Sequence, residues 1–277
     1  MNFIATQVVF FLVGLLCISA CSPQETNPSK TPSSMEEVHQ SVRQQFEAGD
    51  YELALRGADQ LCQRYPADIR FQLLKGELAF ASNHIADSIA AYDNAIELFP
   101  QIEPRLWQRG LALYYAGRFE DGVKQFETHQ TVNSQDVENA VWHLLCAARV
   151  SGVDQGRKNL IPIQDDTRVP MSQVYEMFAG RMEPAAVMAA AESPTPAAPV
   201  GSANHNLQRY FAHLYIGLYW EMLDKPDQAL TEMKAAEKVN PLGKSDFMGR
   251  VASVHILIRE QANNLSSPTQ IQSGSSK

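Results

Sequence analysis

Positive charge is scarce in this sequence of 277 residues. Its 23 Lys and Arg residues face 31 Asp and Glu residues, which gives a formal net charge of -8. Proteins that bind nucleic acid need a cationic surface that neutralises phosphates, and this composition supplies no such excess. We therefore expect no nucleic-acid partner.

The sequence also lacks the motifs that indicate catalysis. It contains no HExxH, GxSxG, Walker A, GxGxxG or CxxC pattern, so none of the common metalloprotease, hydrolase, nucleotide-binding or thiol-redox classes is indicated. Of the four cysteines, Cys62 and Cys146 lie in the body of the chain, where we expect both to be small buried residues without a disulfide. We expect no enzymatic activity, no cofactor and no metal ion.

One group of residues keeps an enzymatic alternative open. His143 and Cys146 are three positions apart in a helical pattern, and His129, Asp136 and Glu138 lie upstream. Two ligands on one helix face are too few for a zinc site, which takes three or four protein ligands. The alternative is a ligand-binding or metal-dependent pocket formed near these residues by the insertion that follows them.

Apolar runs long enough to cross a bilayer are missing from the N-terminus. The segment VVFFLVGLLCI, residues 8–18, contains 11 residues, which suits a signal-peptide core and falls short of the ~20 residues of a spanning helix. It leads into Ile18-Ser19-Ala20-Cys21. This pattern resembles the lipobox of bacterial lipoproteins, which implies a signal peptide over 1–20 and acylation, including palmitate, at Cys21. An uncleaved signal anchor is the alternative.

The segment after Cys21 has no residue that could join a core. Residues 22–34 read SPQETNPSKTPSS, a composition that cannot offset the entropy of ordering. We expect a flexible tether over 21–34. In the proteobacterial lipoproteins that the lipobox resembles, a Ser after the acylated Cys permits export to the outer membrane, so Ser22 implies an outer-membrane anchor facing the periplasm.

An internal repeat of 34 residues follows the tether. Its matched positions are the pairs Gly76 and Gly110, Pro66 and Pro100, and Tyr92 and Phe126, together with Gly49, Asn83 and Gly117 at one common phase. A period of 34 with these residue types resembles the tetratricopeptide repeat. The resemblance covers units at 35–68, 69–102, 103–136 and 210–243. It implies an all-α solenoid of helix-turn-helix units, wound as a right-handed superhelix.

Three departures from the repeat predict irregular packing. Ser134 stands where a closing Pro is expected, Gly122 replaces an Ala, and the first unit has Ser41 and Val42 in place of a Gly. We expect these places to fray or to pack irregularly.

The region 137–209 interrupts the array. Residues 137–150 have helical periodicity and predict a degenerate repeat, and 151–168 predict a loop. Pro170 and Pro184 can each open a short helix, and residues 193–203 predict an extended, mobile Pro/Ala linker. After the fourth unit we expect a capping helix near 245–259, which ends the segment 210–260, and a disordered tail over 261–277.

Repeats of this family usually bind partners through the first helix of each unit, on the concave face. Carried over to this chain, those positions are His39, Arg43, Arg70, Glu77, Phe80, Trp107, Gln108, Tyr114 and Tyr115. Trp, Tyr and Arg are the residue types that dominate binding energy at interfaces. The alternative is that Trp107 and Tyr115 pack against a neighbouring helix or the insertion.

The resemblance implies a scaffold or adaptor in the bacterial cell envelope. We expect its partner to be another envelope protein or peptide, bound by the concave face, with the membrane contacted through the lipid anchor. Self-association through an uncapped end of the array is a further expectation.

Overall fold

The computed structural model describes residues 34–266 of the chain, with side chains described to residue 262. Within that range the chain forms α-helices, one 3₁₀ turn (Pro100–Arg105) and no named strand. The helices are α1 (Met35–Ala48), α2 (Tyr51–Arg64), α3 (Ile69–Ala81), α4 (Ile85–Leu98), α5 (Trp107–Tyr115), α6 (Phe119–Gln130), α7 (Val137–Ser151), α8 (Val153–Lys158), α9 (Met171–Phe178), α10 (Pro184–Glu192), α11 (Ala203–Met222), α12 (Pro226–Val239) and α13 (Phe247–Ser266). The all-α prediction is confirmed. The predicted signal peptide, Cys21 and all of the predicted tether except Ser34 lie outside the described residues.

Consecutive helices pack as hairpins. α1 packs on α2, α3 on α4, α5 on α6 and α11 on α12, as the four repeat units predict. Each of the first three hairpins also contacts the next one, through α2 and α3, α4 and α5, and α6 and α7. The predicted solenoid of helix-turn-helix units is therefore confirmed.

Glycines in the first helices let the second helices approach. A Cβ added to Gly76 would lie 2.7 Å from the ring of Tyr92, and one added to Gly110 would lie 2.5 Å from the ring of Phe126. Distances this short are clashes, so a larger residue is excluded unless the ring moves. Ser88 fits the same contact from the second helix, because its hydroxyl donates to the Gly76 carbonyl at 2.8 Å.

The turns inside the hairpins share one backbone conformation. Gly49 (φ 88°), Asn83 (φ 62°) and Gly117 (φ 72°) all have a positive φ, and Asp224 (φ 54°) takes the same place in the fourth unit. Gly, Asn and Asp adopt this left-handed conformation at the lowest cost. The position that Gly49, Asn83 and Gly117 share within the 34-residue repeat is therefore the position of the turn.

The first unit does not pack irregularly, because its close contact is reversed. Val42, at the place expected for a Gly, is buried, and Gly57 of the second helix faces it. A Cβ at Gly57 would clash with a methyl group of Val42. In this unit the glycine of the close contact lies in the second helix instead of the first. The prediction of irregular packing in the first unit is therefore wrong.

Gly122 has a comparable explanation. Cys146 of α7 is fully buried, and its Sγ would lie 2.6 Å from a Cβ at Gly122. The Ala expected at this place would therefore collide with the neighbouring hairpin. Cys62 and Cys146 are both buried and free, as predicted.

Helices also form in the predicted insertion. α7, α9 and α10 occupy predicted places, but the loop predicted over 151–168 contains the short helix α8. The predicted extended linker is a turn instead, since Thr195 and Ala198 form an isolated antiparallel bridge and Ala198 is 1% exposed. α9 and α10 pack against each other and against α11, and α9 also packs on α7, so the insertion continues the packing of helices.

α13 leaves the fourth hairpin and packs back on the second. It contacts α12 and α3, and its residues Val251, Ala252 and Val254 are fully buried. The capping helix predicted near 245–259 is thus longer, and the first residues of the predicted tail are helical. Gln261 Oε1 accepts a hydrogen bond from Asn83 at 3.1 Å.

A buried carboxylate fixes the second half of α13. Glu221 of α11 is 6% exposed and pairs with Arg259 of α13. Arg149 of α7 donates to the Glu221 carbonyl at 2.8 Å and to Asp224 at 2.7 Å. Three helices therefore meet at one ion-pair network.

None of the helices within residues 34–266 combines the length and apolar character needed to cross a membrane.

Candidate functional site

The polar part of the predicted groove lies on α1 and at the start of α3. His39 packs its ring edge-on against Phe71, with centroids 5.8 Å apart, and Arg43 donates to His39 Nε2 at 3.2 Å. Arg70 is exposed and pairs with Asp68 at 2.6 Å. Burial lowers the pKa of His39, and Arg43 adds to this effect. These residues form an accessible surface that combines cations with an aromatic edge.

Glu77 is half-buried beyond this polar surface. Burial raises its pKa to about 7, with the positive charge of Arg43 opposing and the negative charge of Asp246 adding to the rise. Asp246 directly precedes α13. The carboxyl of Glu77 therefore changes charge near neutral pH beside the start of the last helix.

The aromatic part of the predicted groove is covered by α13. Phe80 stacks on Phe247 at a centroid distance of 4.5 Å, and Trp107 packs edge-on against the same ring at 5.3 Å. Tyr115 shares a hydrogen bond of 3.2 Å with His255 of α13. Tyr114 is 2% exposed and packs edge-on against Trp142 of α7 at 5.5 Å.

This covering corrects the expectation of an open aromatic groove. Phe80 is 0% exposed and Tyr114 2% exposed, so neither presents a surface to a partner in this conformation. The alternative stated for Trp107 and Tyr115, packing against another helix, describes their contacts, and the helix is α13. The repeat pattern locates first-helix positions correctly, but it cannot show which of them another part of the chain covers.

A cavity of about 230 Å³ remains beside Trp107. A water molecule takes roughly 30 Å³ of liquid, so the cavity has room for several waters or a small organic group. Its lining comes from α5, α6, the segment between α6 and α7, α7 and α13, and the lining residues are Trp107, Leu111, Phe126, His129, Asn133, Asp136, Glu138, Asn139, Trp142 and Met248. Both tryptophans of the first 150 residues therefore meet at one cavity.

Carboxylates form one side of this cavity. Asp136 caps α7 by accepting from the backbone N–H of Glu138 at 3.0 Å, and Asp166 accepts from the N–H of Val137 at 3.2 Å. The unpaired N–H groups at the start of a helix favour such anions. The start of α7 is thus the reason that acidic groups are gathered here.

Arg168 links the carboxylates. It pairs with Glu138 at 2.6 Å, Asp136 at 2.8 Å and Asp166 at 2.6 Å. Burial alone would lower the pKa of Arg168, but the hydrogen bonds to Asp166 and the neighbouring negative charges raise it above its ordinary value. One cation therefore faces three carboxyl groups.

Glu138 also contacts α11. Its side chain is 16% exposed, and Tyr215 of α11 donates to it at 2.7 Å. Burial raises the pKa of Glu138, and Arg168 and the Tyr215 hydrogen bond oppose this rise. An additional positive charge near Glu138 would favour its charged form.

Two polar atoms of the cavity-lining residues have no hydrogen-bond partner within the described residues. Trp142 is 2% exposed and its Nε1 is unpartnered; Asn139 is 3% exposed and its Oδ1 is unpartnered. The Asn139 amide nitrogen, by contrast, donates to the Phe126 carbonyl at 3.2 Å and to Gln130 at 2.8 Å, which fixes its orientation. Buried polar atoms are rarely left without a partner. Both atoms are buried within the protein and are not open to the cavity.

The residues of the enzymatic alternative are not brought to one site. His129 lines the cavity and donates from Nδ1 to the Pro104 carbonyl at 2.7 Å. His143 lies 3.6 Å from Glu127, and burial lowers its pKa. Burial raises the pKa of the Cys146 thiol. Within residues 34–266 no three His, Cys, Asp or Glu side chains are grouped to hold a metal ion.

Among the residues of this cavity, the sequence indicated Trp107 as a groove residue, and His129 with Asp136 and Glu138 as part of the enzymatic alternative. The pattern Asp136-x-Glu138 at the start of a helix was a usable signal, because Asp is a common N-cap. Arg168 and Met248 are far away in sequence and carried no signal. The predicted groove residue Gln108 is half-buried in α5, and its Oε1 has no partner in the described part of the chain.

No family model and no curated protein matches the chain. Among solved structures, the chain is similar to a tetratricopeptide repeat protein from Parabacteroides merdae ATCC 43184. The two share 15% sequence identity over 82% of this chain and 84% of that chain, with a TM-score of 0.48.

Proposed function

We propose that the protein is a non-enzymatic scaffold that is anchored to a bacterial envelope membrane by lipid at Cys21 and binds another envelope protein or peptide. The observation that carries this proposal is the cavity beside Trp107, which lies between stacked hairpins and is lined by apolar and acidic side chains. Helical hairpin arrays build extended binding surfaces of this kind.

The accessible residues of α1 and α3 extend the surface used by the partner. Arg70 is exposed and lies over Phe71, with its guanidinium carbon 5.6 Å from the ring centroid. Arg and Trp are common binding hot spots. The partner therefore contacts Arg70 and the region around Trp107.

Capture of the partner from envelope extract tests the proposal. The variant Trp107→Ala with Arg70→Ala loses at least tenfold in captured partner, while the helical circular-dichroism spectrum is retained. The matched control is Trp220→Ala with Arg181→Ala, which removes the same residue types from α11 and from the segment before α10. Equal losses in both double variants, or no loss in the first, would contradict a binding role for this surface.

Anchoring is tested separately by the mass and location of the mature protein. The lipobox implies that the chain begins at an acylated Cys21, and acyl chains contribute about 0.8 kcal/mol per buried CH₂ group. We expect Cys21→Ala to remove the acyl mass and to abolish processing before residue 21. If the mature wild-type chain begins at a residue other than Cys21 and carries no acyl mass, the lipid anchor is contradicted. The proposed scaffold function would not be affected by that result. Flotation of inner and outer membranes, after wild-type expression, tests the outer-membrane location.

A further inference from the structure

We propose that the groove between α2 and α13, called here the α2–α13 groove, binds an acidic segment of the partner that also carries apolar anchor residues. This inference rests on the proposed scaffold function and adds to it a second binding surface, formed by residues other than Arg70 and Trp107.

The α2–α13 groove follows from the way in which α13 packs back on the array. α2 packs on α1 and α3, and α13 packs on α12 and α3, so α2 and α13 flank the end of α3. The open space between them measures about 720 Å³, and Ala81 and Ser82 at the end of α3 form its floor. This space is large enough to accept several side chains of a peptide.

Direct contacts hold α13 against the hairpins that form the groove. Tyr51 at the start of α2 donates to the Lys244 carbonyl at 3.2 Å, and Asn83 donates to Gln261 of α13 at 3.1 Å. Arg250 of α13 lies over the Tyr51 ring, with its guanidinium carbon 4.3 Å from the ring centroid. The groove therefore exists before a ligand binds, which lowers the entropy cost of binding.

Each wall of the groove supplies an exposed leucine. Leu53 of α2 is 44% exposed and Leu257 of α13 is 42% exposed, and both line the groove. Removal of apolar surface from water is favourable. An apolar side chain of the partner that enters the groove would therefore be stabilised by contact with both leucines.

The charges at the groove that lack an ion-pair partner are mainly positive. Arg56 of α2 and Arg250 of α13 line the groove, and Lys244 lies against the lining residue Gly49. Within the described residues none of these three cations pairs with a carboxylate, and Lys244 donates instead to the Ala48 carbonyl at 2.9 Å. This local excess of cations contrasts with the net charge of -8 of the whole chain.

Two acidic residues also line the groove, but they do not balance the cations. Glu52 already pairs with His84 at 3.0 Å, which leaves Asp50 as the unpaired carboxylate. A segment that brings carboxylates complements the groove, whereas a basic segment is repelled. Asp50 and Glu52 would in turn repel an anionic lipid surface, so the complementary ligand is an acidic peptide segment and not a bilayer.

Four octapeptides test the proposal by fluorescence anisotropy on the full chain in phosphatidylcholine nanodiscs. All are acetylated and amidated, and they repeat the unit Glu-Glu-Leu-Leu, Gln-Gln-Leu-Leu, Lys-Lys-Leu-Leu or Glu-Glu-Ser-Ser. We expect the Glu/Leu peptide to bind at least tenfold more tightly than each of the other three, because it alone combines negative charge with apolar anchors.

Variants at exposed positions assign this preference to the groove. Arg56→Gln and Leu257→Ser should each weaken binding of the Glu/Leu peptide at least fivefold. The matched controls are Arg105→Gln and Leu98→Ser, which change an exposed arginine and a leucine of 41% exposure outside the groove. Both controls should bind the peptide as the wild type does. Because the four side chains are exposed, all four variants should retain the fold.

Equal losses in the variants and their controls would overturn the proposal. So would failure of the Glu/Leu peptide to bind, or binding of any other peptide as tightly. If phosphatidylglycerol in the nanodisc abolishes binding of the Glu/Leu peptide, the groove contacts the membrane instead, and the proposal is wrong.

The groove and the proposed scaffold function can fail separately. If capture of the envelope partner depends on Trp107 and Arg70 while the Glu/Leu peptide does not bind, the groove proposal is wrong and the scaffold function stands. If the Glu/Leu peptide binds as expected while capture does not depend on Trp107 and Arg70, the groove proposal stands and the surface around Trp107 is not the binding site.

Discussion

The contact between Gly122 and Cys146 shows how single residues of neighbouring hairpins depend on each other. The Sγ of Cys146 occupies the volume that a Cβ at Gly122 would need. We expect Gly122→Ala to destabilise the protein by about 1 to 3 kcal/mol, because the sulfur is fully buried and has little room to move. Urea denaturation measures this loss.

A double variant identifies the cause of that loss. Cys146→Ala removes the sulfur, so Gly122→Ala in that background should cost less, with a coupling energy of about 1 to 2 kcal/mol between the two sites. Strictly additive losses would mean that Gly122 is needed for a reason other than the thiol.

Glu77 makes stability depend on pH. Its pKa rises from 4.5 in a free side chain to about 7 in the folded protein. The folded chain therefore holds a proton between pH 4.5 and 7 that the unfolded chain has released. The stabilisation that comes from this proton is present below pH 4.5 and is lost as the pH rises to about 7.

Glu77→Gln removes this dependence. Relative to the wild type, the free energy of unfolding of the variant should increase between pH 5 and pH 8. A pKa shift of one unit in a fully coupled group corresponds to about 1.4 kcal/mol, and the gain should be smaller than this per unit because Glu77 is half-buried. Glu47→Gln, at an exposed position of α1, is the control. The same gain in both variants would show that Glu77 is not the titrating group.

At the scale of helices, the turns of the hairpins have a strict backbone requirement. Gly117 joins α5 to α6 with φ at 72°, and a Cβ there would meet no atom within 4 Å. Gly117→Ala should therefore destabilise the protein by about 1 to 2 kcal/mol through backbone conformation alone. Thermal unfolding measures the loss.

Gly243 provides the matched control. A Cβ at this glycine also meets nothing within 4 Å, and its φ lies outside the left-handed range. Gly243→Ala should leave the midpoint of thermal unfolding unchanged or raise it slightly. A comparable loss at both positions would contradict the conformational explanation for Gly117.

Helices that follow the repeat could be predicted from the sequence, because each hairpin uses local signals. The turn phase of Gly49, Asn83 and Gly117 and the close contact at Gly76 both recur at fixed spacing. α8 was missed because it is a single short segment of 6 residues with no repeat to support it. The turn at Thr195 and Ala198 was missed because a Pro/Ala composition indicates a stiff backbone but does not indicate that Ala198 is buried.

At the scale of the whole molecule, α13 joins hairpins that are far apart in sequence. Phe247 packs on both Phe80 and Trp107. Phe247→Ala should destabilise the protein by about 2 to 3 kcal/mol, less than the 3 to 5 kcal/mol of a fully buried Phe, because Phe247 is half-buried. The fluorescence of Trp107 should shift to longer wavelength as its covering is loosened.

Phe99→Ala serves as the control for this loss. Phe99 is 50% exposed, so its removal should change the free energy of unfolding by about 0.5 kcal/mol or less. If Phe247→Ala is equally mild and the tryptophan emission is unchanged, α13 does not hold the aromatic surface closed.

The position of α13 explains why the candidate site could be only partly predicted. The residues of α3 and α5 that face inward follow from the repeat, and Trp107 was found in this way. Which of them stay accessible depends on contacts with residues far away in sequence, such as Phe80 with Phe247 and Tyr115 with His255, the latter pair 140 positions apart. A pattern with a period of 34 carries no information about such contacts.

α13 also sets the order of events while the chain is being made. Synthesis proceeds from the N-terminus, so α3 and α5 exist before the ribosome has translated the helix that covers them. Hairpins form rapidly because their contacts are local. The hydrogen bond between Asn83 and Gln261 joins residues 178 positions apart and forms late. A nascent chain that has only its first three hairpins therefore exposes the aromatic surface around Phe80 and Trp107. This surface can promote aggregation until α13 has been synthesised and has packed over it.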